Sequence, residues 1–150
     1  MSDIREVDAL RRELNALKVR EKGGRPLPFS PNGGVVSPFM AATSPFVAPL
    51  GRSRTPLRLE CAVNVTAPNS AASYWTITLN LLTPGGVATA QGSVSTSGLT
   101  AGQWSVLSLT AFTTALWDAS IYSVAYLAIA KAGATGTPGN LNLAPALWVV

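Results

Sequence analysis

Hydrophobic positions recur at two different periods along this chain, and the change of period divides it. Over residues 1–22, Ile4, Val7, Leu10, Leu14 and Leu17 follow one another at steps of three and four with no Pro or Gly between them. That spacing lines one face of an α-helix. The ends agree: Ser2 or Asp3 can cap the first turn, Lys18, Arg20 and Lys22 suit the last turns, and Gly23-Gly24 supplies a left-handed stop. Placing Val7 and Leu14 at a, with Leu10 and Leu17 at d, gives a short heptad seam in which Ile4 falls at e and Glu21 takes the next a. A lone helix of this length is marginal in water. The pattern therefore predicts an oligomerising helix in a short coiled-coil bundle, rather than one packed on its own domain. Val at a with Leu at d leans towards dimers.

From residue 57 to 150 the period falls to two. Leu57, Leu59, Cys61, Val63 and Val65 alternate with Arg58, Glu60, Ala62, Asn64 and Thr66, and Trp75, Ile77, Leu79 and Leu81 alternate with Thr76, Thr78 and Asn80. Each run predicts a strand with one buried face. Thr83-Pro84-Gly85-Gly86 has the residues of a type II turn and leads into a strand over 87–95. Further strands are predicted over 103–112, 121–131 and 141–149. The expected architecture is mainly β, an antiparallel β-sandwich of jelly-roll or related topology. Cys61, on an apolar face, is expected to be a buried small hydrophobe rather than a reactive thiol.

Between these parts neither period holds. Residues 23–56 carry Pro26, Pro28, Pro31, Pro38, Pro45, Pro49 and Pro56, too many for a helix and poorly placed for central strands. The segment also holds Phe29, Phe39 and Phe46, each directly after a proline, with Ser-Pro-Phe repeated seven residues apart. A passive tether would not keep such side chains in water, since burying each is worth about 1.5–3 kcal/mol. The expectation is an extended Pro-rich arm whose anchors Phe29, Phe39 and Phe46 lie on a neighbouring subunit or a larger assembly. The alternative is an irregular loop folded back on the chain's own domain.

Charge sharpens these boundaries. Only 12% of the 150 residues are charged and 47% are hydrophobic, so wholesale disorder is not expected. Residues 1–22 are of mixed sign. Arg25, Arg52, Arg54 and Arg58 oppose Glu60 alone in residues 23–60, and residues 61–150 hold only Asp118 and Lys131. The excess of positive charge thus lies mostly in the middle segment, where it suits docking on an acidic protein surface. The basic residues are not interleaved with aromatics in the manner of a nucleic-acid platform, so no nucleic-acid partner is expected. The first residues lack the apolar core of a signal peptide, and no apolar run of 18 residues exists, so neither cleaved export nor membrane insertion is expected.

Candidate chemistry is sparse. The chain has no His and a single Cys, which removes imidazole general-base chemistry and any Cys/His metal cage. Glu60 and Asp118 are too far apart in sequence to give a reason for pairing them. No enzymatic activity, metal or cofactor is expected. Among the aromatics Trp75 belongs with the core, and Trp117, next to Asp118 in an expected loop, is the candidate for an exposed receptor or glycan contact.

Three runs resemble a known group of proteins. Asn69-Ser70-Ala71-Ala72-Ser73-Tyr74-Trp75-Thr76-Ile77-Thr78-Leu79, then Ser95-Thr96-Ser97-Gly98-Leu99-Thr100-Ala101-Gly102-Gln103-Trp104, and Asn140-Leu141-Asn142-Leu143-Ala144-Pro145-Ala146 are similar to the β-sandwich tip domains of tailed-bacteriophage fibre and appendage proteins. The resemblance covers residues 57–150. It implies a non-enzymatic virion component, commonly a homotrimer with an N-terminal helical bundle and a C-terminal jelly-roll head, made in the host cytoplasm. On that footing the expected function is that of a tail-fibre or baseplate-appendage subunit, with itself, other virion proteins and a host-surface glycan as partners. The alternatives are a capsid decoration, cement or head-fibre protein whose arm staples capsid subunits, and a carbohydrate-binding module.

Overall fold

A computed structural model describes residues 3–38 and 46–150 of the chain. The helix, α1 (Asp3–Gly23), ends at Gly24, whose φ of 73° is the left-handed turn the glycine pair supplies. Nine strands follow: β1 (Arg25–Leu27), β2 (Gly34–Val36), β3 (Phe46–Pro49), β4 (Pro56–Val65), β5 (Tyr74–Leu82), β6 (Ala88–Ser95), β7 (Ser105–Leu109), β8 (Val124–Ala132) and β9 (Leu141–Val149). They form two antiparallel sheets. One runs β1-β9-β4-β7, with β2 also on β9, and the other runs β3-β8-β5-β6.

The strands predicted in residues 57–150 are present as β4 to β9, and the alternation of β4 and β5 sets their buried faces. Leu59, Cys61, Val63 and Val65 point inward from β4, and Trp75, Ile77, Leu79 and Leu81 from β5. They meet Leu127 and Ile129 of β8 and Leu141, Leu143, Leu147 and Val149 of β9 in one core. Burial drives Cys61 into the expected role: its thiol is pushed up to about 12 by desolvation.

The middle segment corrects the expectation of a separate arm. β1 pairs with β9 from Arg25 against Val149 to Leu27 against Leu147, and β2 pairs with the same strand from Gly34 against Leu143 to Val36 against Leu141. β3 pairs with β8 from Phe46 against Leu127 to Pro49 against Val124. With β1 and β2 counted as one interrupted strand, the eight strands fall in the order first-eighth-third-sixth and second-seventh-fourth-fifth. That is a jelly roll, and residues 25–49 supply its first two strands. The six strands downstream do not complete it.

The prolines fit because these are edge strands, where a missing N–H breaks no central ladder. Between β1 and β2 the chain leaves β9 and crosses to the other sheet, where Ser30 and Val47 exchange backbone hydrogen bonds of 2.8 and 3.2 Å. Phe29 sits on this crossing and enters the core with Leu27, Phe46, Ala48 and Leu50. Pro145 lies in the stretch of β9 that this crossing leaves without an edge partner. The anchors Phe29 and Phe46 therefore hold the chain's own sandwich, as the folded-back alternative required, because burying them closes the open edges of β8 and β9. Phe39 lies outside the described residues.

Candidate assembly surfaces

α1 does not share in the burial. Every described side chain from Ile4 to Asn15 is exposed, with Ile4 at 65%, Val7 at 51%, Leu10 at 64% and Leu14 at 53% of full exposure. The side chain of Leu17 lies outside the described residues. An apolar stripe of four large residues on a helix turned to water costs about 1.5–3 kcal/mol per side chain relative to a buried place. Such a stripe marks an interaction surface more often than chance exposure does. The flanking Arg5, Glu6, Asp8, Arg11, Arg12 and Glu13 keep the rest of the helix solvated.

Trp117 is not a surface residue, which corrects its candidacy as a glycan contact. Its ring is fully buried and meets Phe112 edge-on, with centroids 5.9 Å apart and planes at 88°. Its indole N–H donates to Gln91 Oε1 at 3.2 Å, which also accepts from the Thr114 amide at 3.0 Å. Gln91 reaches them because β6 bulges there: Leu79 faces Gly92 and Asn80 faces Ala90, so Gln91 is the extra residue and its side chain turns inward. The backbone of Trp117 exchanges two hydrogen bonds with Arg54, at 2.8 and 3.0 Å. Asp118 gave no sign of surface position for its neighbour, because it satisfies itself locally. It accepts from the Ser120 amide at 2.8 Å and hydroxyl at 2.7 Å, which hold its carboxyl below the usual range.

Two of the runs that carry the phage-fibre resemblance, with Gly139 just before the third, form one polar knot at the end of the sandwich. Asn69 Nδ2 donates to the carbonyls of Thr96 and Leu99 at 2.9 and 3.0 Å, and its Oδ1 accepts from the Thr96 hydroxyl at 2.9 Å. The same hydroxyl accepts from the Trp75 amide at 2.9 Å, while the Trp75 indole N–H donates to the Gly139 carbonyl at 2.8 Å. Their chemistry is structural, since these hydrogen bonds all close within the chain.

Two outer faces remain. On the β3-β8-β5-β6 sheet, Val47, Leu82, Val124, Tyr126, Thr78 and Asn80 present no charge. On the other sheet Trp104, 62% exposed, leads into β7, where Val106, 65% exposed, stands opposite Ala62. Arg58 on that face donates to Glu60 at 3.1 Å and covers the Trp148 ring at 4.5 Å, so its charge is already matched. Among the described residues no group of three or more His, Cys, Asp or Glu gathers, and no helix is long and apolar enough to cross a membrane.

The exposed face of Trp104 is what sequence reasoning missed. Gly98 and Gly102, both at positive φ, bracket the turn before it, and a tryptophan at a strand entry after two such glycines has fewer neighbours to cover it than one in mid-strand.

Solved structures to which the chain is similar include one of the infectious bursal disease virus Gt strain, with 16% identity, a TM-score of 0.48, and coverage of 78% of this chain and 29% of that one. Another is the VP2 subviral particle of infectious bursal disease virus, with 14% identity, a TM-score of 0.48, and coverage of 78% and 28%. A third, of the Gx strain of that virus, has 15% identity, a TM-score of 0.46, and coverage of 85% and 31%. The chain thus spans less than a third of the length of these chains. No family model and no curated protein matches it.

Proposed function

We propose that this chain is a non-enzymatic structural subunit of a bacteriophage particle, a tail-fibre or baseplate-appendage protein that trimerises through α1 and projects its jelly-roll head towards the host surface. The observation that carries the reading is the bare apolar stripe Ile4, Val7, Leu10 and Leu14 on a helix whose described side chains are all exposed. A helix with such a stripe reaches a stable state when copies cover it. The helix runs through Gly24 straight into β1 at the sheet edge, so a bundle of copies would hold the heads as a cluster around a common stalk. The virion assignment and the trimer rest on the resemblance of residues 57–150 to phage tip domains. A jelly roll by itself serves lattice-forming and sugar-binding proteins alike, and decides neither.

The capsid-cement alternative loses its anchor, because it required phenylalanines free to staple a neighbour, and Phe29 and Phe46 are in the chain's own core. Light scattering on the eluting full-length chain tests the leading reading. The expected mass is three times that of the 15.5 kDa chain, and the double substitution Leu10→Lys with Leu14→Lys should return it to a single chain with the strand signal in circular dichroism unchanged. A single-chain mass for the unsubstituted protein at micromolar concentration overturns assembly through α1, and a two-chain mass overturns the trimer.

A further inference from the structure

Three guanidinium groups gather at one corner of the head with no anionic partner among the described residues. Arg25 opens β1 against Val149. Thr55 exchanges backbone hydrogen bonds with Val150, both at 2.9 Å, and so brings Arg54 to the end of the same strand. Arg52 follows Gly51, whose φ of 69° turns the chain back at this point. Together Gly24, Arg25, Arg52, Arg54, Val149 and Val150 line a cavity of about 130 Å³. By liquid volume that is room for about four waters, or for a small tetrahedral or planar anion.

The arrangement is costly as it stands. Burial, then the like charges of Arg52 and Arg25, hold the Arg54 guanidinium below its ordinary value. Among the described residues no carboxylate lies within ion-pair distance of any of the three. The two acidic residues of the head are engaged elsewhere: Glu60 accepts from Arg58, and Asp118 from Ser120. Arg54 Nε donates to the Leu50 carbonyl at 3.1 Å, which fixes its planar fork and leaves its terminal nitrogens as donors. Clustered, partly fixed guanidiniums are suited to bidentate binding of phosphate or carboxylate oxygens.

We propose that this corner is an oxyanion-binding site, in which Arg25, Arg52 and Arg54 clamp one phosphate or carboxylate group beside the end of β9. The site is separate from the stripe on α1, so it stands or falls independently of assembly through that helix.

The test is calorimetric titration and thermal unfolding of the full-length chain in low-salt buffer with inorganic phosphate, sodium acetate, and sodium chloride at matched ionic strength. Phosphate should bind saturably and raise Tm beyond the chloride control. Arg25→Gln with Arg52→Gln, both at exposed positions, should weaken phosphate binding at least tenfold and leave Tm without phosphate unchanged or higher. Acetate matching phosphate would uphold the site with a carboxylate as its natural group, and acetate much weaker than phosphate would uphold it with a phosphate. A phosphate response equal to that of chloride, or one that the double substitution leaves intact, overturns the proposal.

Discussion

Two stretches upstream of β4 look alike in one respect and end up in opposite places. Both α1 and residues 25–50 carry large apolar side chains outside the alternating pattern of residues 57–150. Phe29, Phe46 and Leu50 are buried in the head, whereas Ile4, Val7, Leu10 and Leu14 are bare. The difference lies in what each backbone can offer. β1, β2 and β3 are extended and can add to a ladder, and β8 and β9 each have an edge that needs one. A helix has already satisfied its own amides and carbonyls, so only side-chain packing remains to hold it. The stripe, bordered by charges of both signs, makes no packing contact with the sheets and stays exposed. Apolar content alone therefore does not say where a segment goes, and unpaired backbone nearby does.

The sharpest way to break this contrast is by truncation. Removal of residues 1–23 should leave a soluble head with a midpoint in urea close to that of the full chain at the same dilution. Removal of residues 1–50 should abolish the cooperative transition, because it strips two strands and exposes the edges of β8 and β9. A cooperative, soluble head from the shorter piece would mean that the front strands are dispensable and the contrast false.

A smaller effect comes from Phe46→Ala, which should lower unfolding free energy by about 3–5 kcal/mol, as large-to-small changes in packed cores do. Urea titration reads it directly, and a loss under about 1 kcal/mol would place Phe46 outside the cooperative core. The third effect is smaller again and reports on how well the core is sealed. Because the folded thiol of Cys61 is raised to about 12 from 9.0, the unfolded chain ionises first as pH rises between those values. The stability held by the protonated thiol is whole below pH 9 and declines above it, reaching a loss of about 2–3 kcal/mol at pH 11. Comparing the unsubstituted chain with Cys61→Ala at pH 8 and pH 11 isolates this loss from other alkaline effects. An equal pH response in both would show that water reaches the thiol.

The strands from β4 to β9 were legible because alternation is a local signal, and β4 and β5 keep it for nine or ten residues. β1, β2 and β3 were not, because they run for three or four residues and prolines punctuate them. A count offered the missing clue: a jelly roll needs eight strands, and residues 57–150 supplied six. The Pro-Phe pairs were a second, since a residue that cannot donate followed by one that must be buried suits an edge strand. Trp117 was misplaced for a different reason. Its neighbour Asp118 made the site look wet, and a carboxylate that turns to Ser120 within two residues carries no information about where the preceding ring points. Of the expected surfaces, the stripe on α1 was readable residue by residue, while the arginine corner depends on Arg25 and Arg54 meeting across β9, which no local pattern encodes.

β9 is hydrogen-bonded to β4 on one side and to β1 and β2 on the other, so one sheet lacks its second member until residues 141–149 have emerged from the ribosome. The helix is translated more than a hundred residues sooner. If α1 pairs with copies of itself as proposed, helices on neighbouring nascent chains would have time to find each other while every head is still open, and partner choice on a polysome would precede closure of the fold.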